Sequence, residues 1–247
     1  MADANAPTGD AIHAVLVAGY WLGGWAWRDV EPPLQTAGIT THAVTLPGMD
    51  GTASTDVTLD DHIAAVVELV DELRGAVVLV GHSGGALVVQ GAADRRAERI
   101  ARVIYVDSGP LQNGAALRPD ATADLPLPSW EELTAEQSSI EGIDDEMLAE
   151  FRRRAVSQPA GVARSPLRLT NDARLDVPAT VICTSLACEA FSEMVAAGQF
   201  PTELPSVRDV RCIDLPTGHW PMFSRPYDLA NALRDEIQTT GRSPQRS

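Results

Sequence analysis

Short apolar runs, most of them rich in β-branched residues, alternate with longer amphipathic stretches along most of this chain. Apolar runs bounded by Gly, Pro or charged residues predict buried β-strands, and the amphipathic stretches between them predict helices. The predicted strands cover residues 12–17, 39–46, 77–80, 102–106, 179–184 and 207–215. Because strand and helix alternate, we expect an α/β fold with a mostly parallel central sheet flanked by helices.

The helix predicted after the second strand carries its own start signal. Thr58 stands three residues before Asp61, which is the spacing of a capping box, and apolar residues follow at helical intervals. His62 belongs to this helix, and we expect its side chain at the helix surface. His13 and His42 fall on strands with no acidic or nucleophilic motif beside them, so we expect no catalytic role for either.

Residues 111–170 interrupt the alternation of strand and helix. A proline-rich stretch leads to Ser129 and Glu132, which fit a second capping box, and a further helix is predicted over 145–156. The expected division is a core of residues 1–110 and 171–247 with an inserted helical cap of residues 111–170. A cap in this position covers the strand ends, excludes water and shapes a pocket.

The most specific motif follows the strand predicted over 77–80. Gly81, Ser83 and Gly85 form Gly-x-Ser-x-Gly between that strand and an alanine-rich helix. Such a turn strains the serine backbone, and the residues two positions before and after it must be small so that strand and helix can approach. The backbone N–H of Gly84 then lies at a helix start, where it can donate to an oxyanion. Ser83 is therefore the candidate nucleophile.

A second oxyanion donor is expected in the loop after the first strand. Gly19 lies at the start of this loop, and backbone N–H groups there are free to turn toward a substrate oxygen. The N–H of Tyr20 is the first candidate, and that of Trp21 is the alternative.

Charge narrows the range of partners. The 247 residues carry a formal net charge of −15, and all 19 basic residues are arginine. So acidic a chain argues against binding to nucleic acid or to an anionic membrane. No apolar run approaches the roughly 20 residues that cross a bilayer, and the first ten residues lack the apolar core of a signal peptide. We therefore expect a cytoplasmic protein.

Three cysteines, Cys183, Cys188 and Cys212, are an odd number without the spacing of a metal site. We expect unpaired thiols in a reducing compartment, with no metal ion. Cys183 and Cys212 lie in strand-like runs and are expected in the core, whereas Cys188 is expected to be a bystander thiol in a loop.

Several motifs together resemble the α/β-hydrolase superfamily. They are Gly-His-Ser-Gly-Gly at 81–85, the glycine- and tryptophan-rich loop at 19–27, Leu-Pro-Gly at 46–48, and Gly-His-Trp-Pro-Met-Phe with Arg-Pro at 218–226. They look most like the capped esterases of the plant methylesterase and hydroxynitrile lyase type and their bacterial relatives. The resemblance covers nearly the whole chain except the cap, and it implies Ser83 as nucleophile and His219 as base. A serine hydroxyl needs such a partner because it is a poor nucleophile until an imidazole takes its proton.

The sequence offers two residues that could supply the carboxylate of a catalytic triad. The related esterases usually carry an aspartate after the penultimate strand, but that position falls near Leu186 here. Asp107 is preferred because it ends a strand, and a strand end holds a side chain more firmly than a long loop. Glu189, a few residues beyond the usual position, is the alternative, and both choices preserve the order Ser, acid, His.

The resemblance implies hydrolysis of a carboxylic ester or lactone through an acyl-enzyme, without a cofactor. We expect a medium-sized, mostly apolar small-molecule substrate, a monomer or homodimer, and a pocket that includes Trp21, His82, Trp130 and Trp220. The alternatives are a non-catalytic ligand sensor or, on the same site, a lyase, a cofactor-free oxygenase or a cyclase. The plant hydroxynitrile lyase reaction is disfavoured because its threonine position is Gly19 here and the chain contains no lysine.

Overall fold

Six parallel strands form the central sheet of the computed structural model, which describes residues 11–52 and 56–240. The strands are β1 (Ile12–Val17), β2 (Ile39–Val44), β3 (Ala76–His82), β4 (Ile100–Val106), β5 (Ala179–Cys183) and β6 (Val210–Asp214). Their order across the sheet is β2-β1-β3-β4-β5-β6, and each neighbouring pair is parallel. The expected α/β fold is confirmed. The first ten residues, on which the expected location partly depends, lie outside the described residues.

The helices lie in the connections between these strands and after the last of them. They are α1 (Glu31–Thr36), α2 (Leu59–Glu72), α3 (Gly85–Arg95), α4 (Trp130–Ala135), α5 (Asp145–Arg154), α6 (Ala160–Arg164), α7 (Cys188–Ala196), α8 (Pro221–Ser224) and α9 (Pro226–Thr240). Among the helices in residues 11–52 and 56–240, none combines the length and the apolar character that crossing a membrane requires.

Both faces of the sheet are covered, which is why β3 is apolar at consecutive positions. Successive side chains of a strand point to opposite faces, so Val77 and Leu79 lie in one apolar cluster and Val78 and Val80 in the other. All four side chains are completely buried. Helices α2 and α3 contribute to the first cluster, and α1 and α9 contribute to the second.

Both predicted capping boxes are present. At the start of α2 the hydroxyl of Thr58 accepts the N–H of Asp61, and the Asp61 carboxylate accepts the N–H of Thr58. Ser129 and Glu132 form the same two hydrogen bonds at the start of α4. The expected surface position of His62 is wrong. Its side chain is buried, and Nε2–H donates to the carbonyl oxygen of Pro47 (2.9 Å), because the loop after β2 passes over this part of α2.

The segment between β4 and β5 contains α4, α5 and α6. An isolated antiparallel β-bridge between Leu125 and Gln158 connects two parts of this segment. The boundaries of the cap at 111–170 stay a prediction, but the break in the alternation of strand and helix occurs where the sequence placed it.

The expectation of three unpaired thiols is wrong. Cys188 and Cys212 form a disulfide, with their Cα atoms 5.9 Å apart. Cys212 is exposed rather than part of the core, because β6 is the edge strand of the sheet. Cys183 is buried as expected and remains a free thiol. The disulfide removes the basis on which a reducing compartment was inferred.

Candidate active site

Two residues with left-handed backbone conformation lie side by side at the carboxyl edge of the sheet. Ser83 follows β3 with φ of 49°, and Asp107 follows β4 with φ of 46°. Their N–H groups continue the sheet beyond the strands, since Ser83 N–H donates to Val106 O (3.1 Å) and Asp107 N–H to Ile182 O (2.8 Å). Non-glycine residues adopt this conformation at a cost, and such strain concentrates at functional sites.

The glycines of the Gly-x-Ser-x-Gly motif allow α3 to pack closely against the neighbouring strands β3 and β1. A Cβ added at Gly81 would lie 2.5 Å from Val89 Cγ2, and one added at Gly85 would lie 2.7 Å from Val17 O. Both distances are shorter than van der Waals contact, so a larger residue would push strand and helix apart. The steric reason for the motif given by the sequence therefore holds in this fold.

His219 joins the two strand ends. It lies in the loop after β6, where its N–H donates to Ser139 O (2.7 Å). Its Nε2 is 2.9 Å from Ser83 Oγ, and its Nδ1 is 2.6 Å from Asp107 Oδ2. With Nδ1–H donating to the carboxylate, Nε2 is free to accept the hydroxyl proton of Ser83. Side chains 136 and 112 residues apart in sequence thus form one line of hydrogen bonds.

The loop after β5 holds the Asp107 carboxylate in place. Oδ1 accepts the N–H groups of Thr184 and Ser185, both at 3.0 Å, and Oδ2 accepts the hydroxyl of Ser185 at 2.7 Å. Burial opposes ionisation of this group. The hydrogen bonds and charge of His219, together with the bonds from Ser185, outweigh burial and hold the pKa of Asp107 well below its usual range. Asp107 is thus an anion aimed at His219 Nδ1.

The alternative carboxylate lies elsewhere. Glu189 is exposed in the first turn of α7, and its carboxylate makes no hydrogen bond or ion pair with any described residue. Thr184 and Ser185 were not singled out from the sequence. Their position directly after a buried strand, at the edge where Ser83 and Asp107 also lie, is the signal that could have found them.

The two expected oxyanion donors belong to Gly84, the residue after Ser83, and to Tyr20, the residue after Gly19. Neither Tyr20 N–H nor Gly84 N–H donates to another group in the part of the chain that the structure describes. The ring of Tyr20 lies across Gly84, since a Cβ added there would be 2.7 Å from Tyr20 Cδ1. Gly19 passes so close to Ser83 that its added Cβ would lie 2.9 Å from Ser83 Cβ. A threonine at position 19 would not fit without displacing the nucleophile.

Trp21 connects this loop to the segment that covers it. Its φ is 66°, its Nε1–H donates to Leu125 O (2.9 Å), and its carbonyl accepts Val156 N–H (3.0 Å). Together with Tyr20 it forms one wall of a cavity of about 190 Å³, whose other walls include Leu125 and Pro126. Trp21 thus lines a cavity, and its role as a substrate-pocket residue stays a prediction.

The other three expected pocket residues lie differently. His82 and Trp220 are completely or almost completely buried, so neither can contact a substrate in this conformation. His82 Nε2–H donates to the backbone oxygen of His219 (2.7 Å), and the Trp220 ring packs edge-on against the His219 ring. Burial, then the charge of His219, lowers the pKa of His82 to about 3. Trp130 lies half-buried under the guanidinium of Arg152, 4.1 Å from its ring centre.

Comparison with known proteins identifies relatives of this chain. The sequence model of a family described as "Alpha/beta hydrolase family" matches residues 14–232. A carbendazim hydrolyzing esterase from Nocardioides sp. (strain SG-4G) is 38% identical over 110 residues, which are 42% of this chain and 44% of that relative. The match therefore spans less than half of the relative's length.

Solved structures share the whole fold. The methylesterase MES16 from Arabidopsis superposes with a TM-score of 0.72 over 93% of this chain and 100% of its own, at 21% identity. A pyrethroid hydrolase from Sphingobium faniae JZ-2 superposes with a TM-score of 0.67 over 92% of this chain and 98% of its own, at 19% identity. At these identities the likeness shows the fold alone.

Proposed function

The chain belongs to the alpha/beta hydrolase family, and we propose that it cleaves carboxylic esters through Ser83, His219 and Asp107. The observation that carries this proposal is the unbroken line of hydrogen bonds from the Asp107 carboxylate through His219 to Ser83 Oγ. Each member has the partner that its role requires: the base touches the nucleophile, and the carboxylate orients the base.

In the proposed reaction, Ser83 Oγ attacks the ester carbonyl carbon while its proton passes to His219 Nε2. The N–H groups of Tyr20 and Gly84 stabilise the negative charge that develops on the carbonyl oxygen. Asp107 stabilises the protonated imidazole, which then gives its proton to the departing alcohol. A water molecule, deprotonated by His219, releases the acid from the acyl-enzyme. Loss of one oxyanion donor costs on the order of a hundredfold in turnover.

The substrate class follows from the walls of the cavity beside Tyr20 and Trp21. Its apolar walls come from Tyr20, Trp21, Leu125 and two prolines, and its charged residues are Glu132 and the Arg118–Glu136 pair, which is 2.6 Å apart. Because Arg118 is already paired and Glu132 adds a second carboxylate, the cavity favours a medium-sized, mostly apolar ester or lactone over an anionic one. Carbendazim and pyrethroids, which occur in the names of two relatives, are first compounds to test as substrates.

A small fluorophosphonate tests the nucleophile. We expect one adduct per chain, located on Ser83 by peptide mass spectrometry, and no adduct in Ser83→Ala or His219→Ala. The matched control is Ser192→Ala, which removes a serine hydroxyl on α7 that only bonds the Cys188 carbonyl. It should label as the wild type does. An adduct on a different residue, or a folded wild type that neither labels nor cleaves p-nitrophenyl esters, would overturn the proposal.

A further inference from the structure

A second group of reactive side chains lies where β5, β6 and α7 meet. Cys183 is the last residue of β5, Cys188 is the first residue of α7, and Cys212 is in the middle of β6. Their Sγ atoms all lie within 4.8 Å of one another. Cys188 and Cys212 share the disulfide, and Cys183 Sγ is 3.5 Å from Cys212 Sγ.

The sheet holds two of these sulfur atoms on the same face. In the β5–β6 register, Val181 is opposite Cys212 and Cys183 is opposite Asp214. Since alternate residues of a strand share a face, Cys183 and Cys212 project to the same side of the sheet. Cys188 reaches them from the helix start, where its N–H donates to Asp214 Oδ1 (2.7 Å). The three thiols thus come from three elements that are fixed relative to one another.

We propose that, after reduction of the Cys188–Cys212 bond, these three thiols bind one thiophilic cation of the Zn²⁺ type. Reduction by a phosphine gives each sulfur one hydrogen, and the phosphine becomes its oxide by taking oxygen from water. Binding then forms three sulfur–metal bonds and releases the thiol protons to the buffer. No other protein group changes its oxidation state.

The distances between the sulfur atoms suit this ligand. Zinc–sulfur bonds of about 2.3 Å in a tetrahedral site place sulfur atoms roughly 3.8 Å apart. The separation of 3.5 Å between Cys183 and Cys212 is already close to that value. Reduction must also separate the sulfurs of Cys188 and Cys212 to non-bonded contact, which is the same range. The cluster therefore needs only small side-chain movements to surround a cation.

The surroundings give the site an inner and an outer side. Cys183 is buried, Cys188 is half-buried, and Cys212 is exposed on the edge strand. An ion can therefore enter past Cys212, and the fourth coordination position faces solvent. The carboxylate of Asp214 adds negative charge beside the sulfurs. Thiolate ligands select Zn²⁺ and Cu⁺ over hard cations such as Mg²⁺ and Ca²⁺.

The test compares zinc binding by the full-length chain in two redox states. The protein is reduced with a phosphine, the reductant is removed under anaerobic conditions, and Zn²⁺ is added. We expect inductively coupled plasma mass spectrometry to find one bound zinc ion per chain. The oxidised wild type is the matched control, because it keeps every carboxylate of this acidic chain but offers only one thiol. Reduced Cys183→Ser and Cys212→Ser should each bind at least about a hundredfold more weakly, since loss of even an indirect partner can cost that much.

Two results would overturn the proposal. One is equal zinc binding by the reduced and oxidised wild type, which would assign the ion to surface carboxylates. The other is undiminished affinity in reduced Cys183→Ser, which would mean that the two other thiols bind without it. Circular dichroism of each variant guards against misfolding, and Cys212→Ser is an exposed change that preserves the core. Neither result depends on whether the chain cleaves esters.

Discussion

Two carboxylates, the buried Asp94 and the partly buried Asp107, each hold a distant segment by two consecutive backbone N–H groups. Asp94, near the end of α3, accepts from Thr170 (3.0 Å) and Asn171 (2.9 Å). Asp107, after β4, accepts from Thr184 and Ser185, both at 3.0 Å. In both cases the negative charge satisfies N–H groups of a chain segment that returns to the core.

The two carboxylates differ in the side chain with which each is paired, which is an arginine for Asp94 and a histidine for Asp107. Asp94 pairs with Arg174 (3.3 Å), a permanent cation that also binds Glu203 (2.6 Å). Asp107 pairs with His219, whose second nitrogen contacts a hydroxyl group. A guanidinium cannot pass a proton onward, whereas an imidazole can. The same arrangement of a carboxylate and two N–H groups therefore serves structure in one place and, in the proposed function, catalysis in the other.

Asp107→Asn tests the catalytic role that the proposed function gives to one of these two carboxylates. An asparagine can still accept the N–H groups of Thr184 and Ser185, but it cannot stabilise protonated His219. We expect kcat/KM for an activated ester to fall by about a thousandfold or more, with a circular dichroism spectrum unchanged.

The matched control is Glu189→Gln, which neutralises the alternative carboxylate. Its ester turnover should stay within about twofold of wild type, because an exposed side chain without a partner contributes little to a site it does not touch. A large loss in Glu189→Gln with little loss in Asp107→Asn would reverse the assignment.

Asp94→Asn tests the structural role of the other carboxylate. It leaves Arg174 buried with one carboxylate partner fewer and weakens the bonds to Thr170 and Asn171. We expect the free energy of unfolding in urea to fall by about 2 kcal/mol, since Glu203 still compensates part of the charge. Ester turnover at 25 °C should be unaffected. A loss of turnover without a loss of stability would show that Asp94 also acts on the site.

A smaller effect concerns how the free energy of unfolding depends on pH. Of the two carboxylate sites, only that of Asp107 has histidines beside it. The pKa of His82 is lowered to about 3 in the folded chain, so below its ordinary value of 6.5 the unfolded chain takes up a proton that the folded chain does not. Stability from this group is present above pH 6.5 and is lost as the pH falls toward 3. The loss is about 1.4 kcal/mol per pH unit within that window.

His82→Gln removes this proton uptake while keeping a donor for the His219 carbonyl. Urea unfolding at pH 7 and pH 5 should therefore show a shallower loss of stability in the variant than in the wild type. The contribution of buried His62 has the same sign but is common to both proteins and cancels. Equal pH slopes would show that His82 is accessible to protons in the folded state.

Local patterns in the sequence predict much of the secondary structure of this molecule. Residues 77–80 formed a strand and Thr58 began a helix because burial on two faces and N-cap hydrogen bonding depend on neighbouring residues. The tight packing around Gly81 and Gly85 was likewise expected from the motif. His62 was misplaced because its burial depends on the loop containing Pro47, which no helical period encodes.

The pattern of strands and helices predicts the parallel α/β fold, and the motifs with the resemblance they carry single out Ser83 and His219 as chemical candidates. The sequence favours Asp107 because that residue ends a strand, but it leaves Glu189 open, since both satisfy the order of the triad along the chain. Only the tertiary structure placed Asp107 2.6 Å from His219, and only it brought Cys183, Cys188 and Cys212 together. The physical reason is that strand order and loop paths decide which distant side chains meet, and these depend on packing of the whole chain rather than on local spacing.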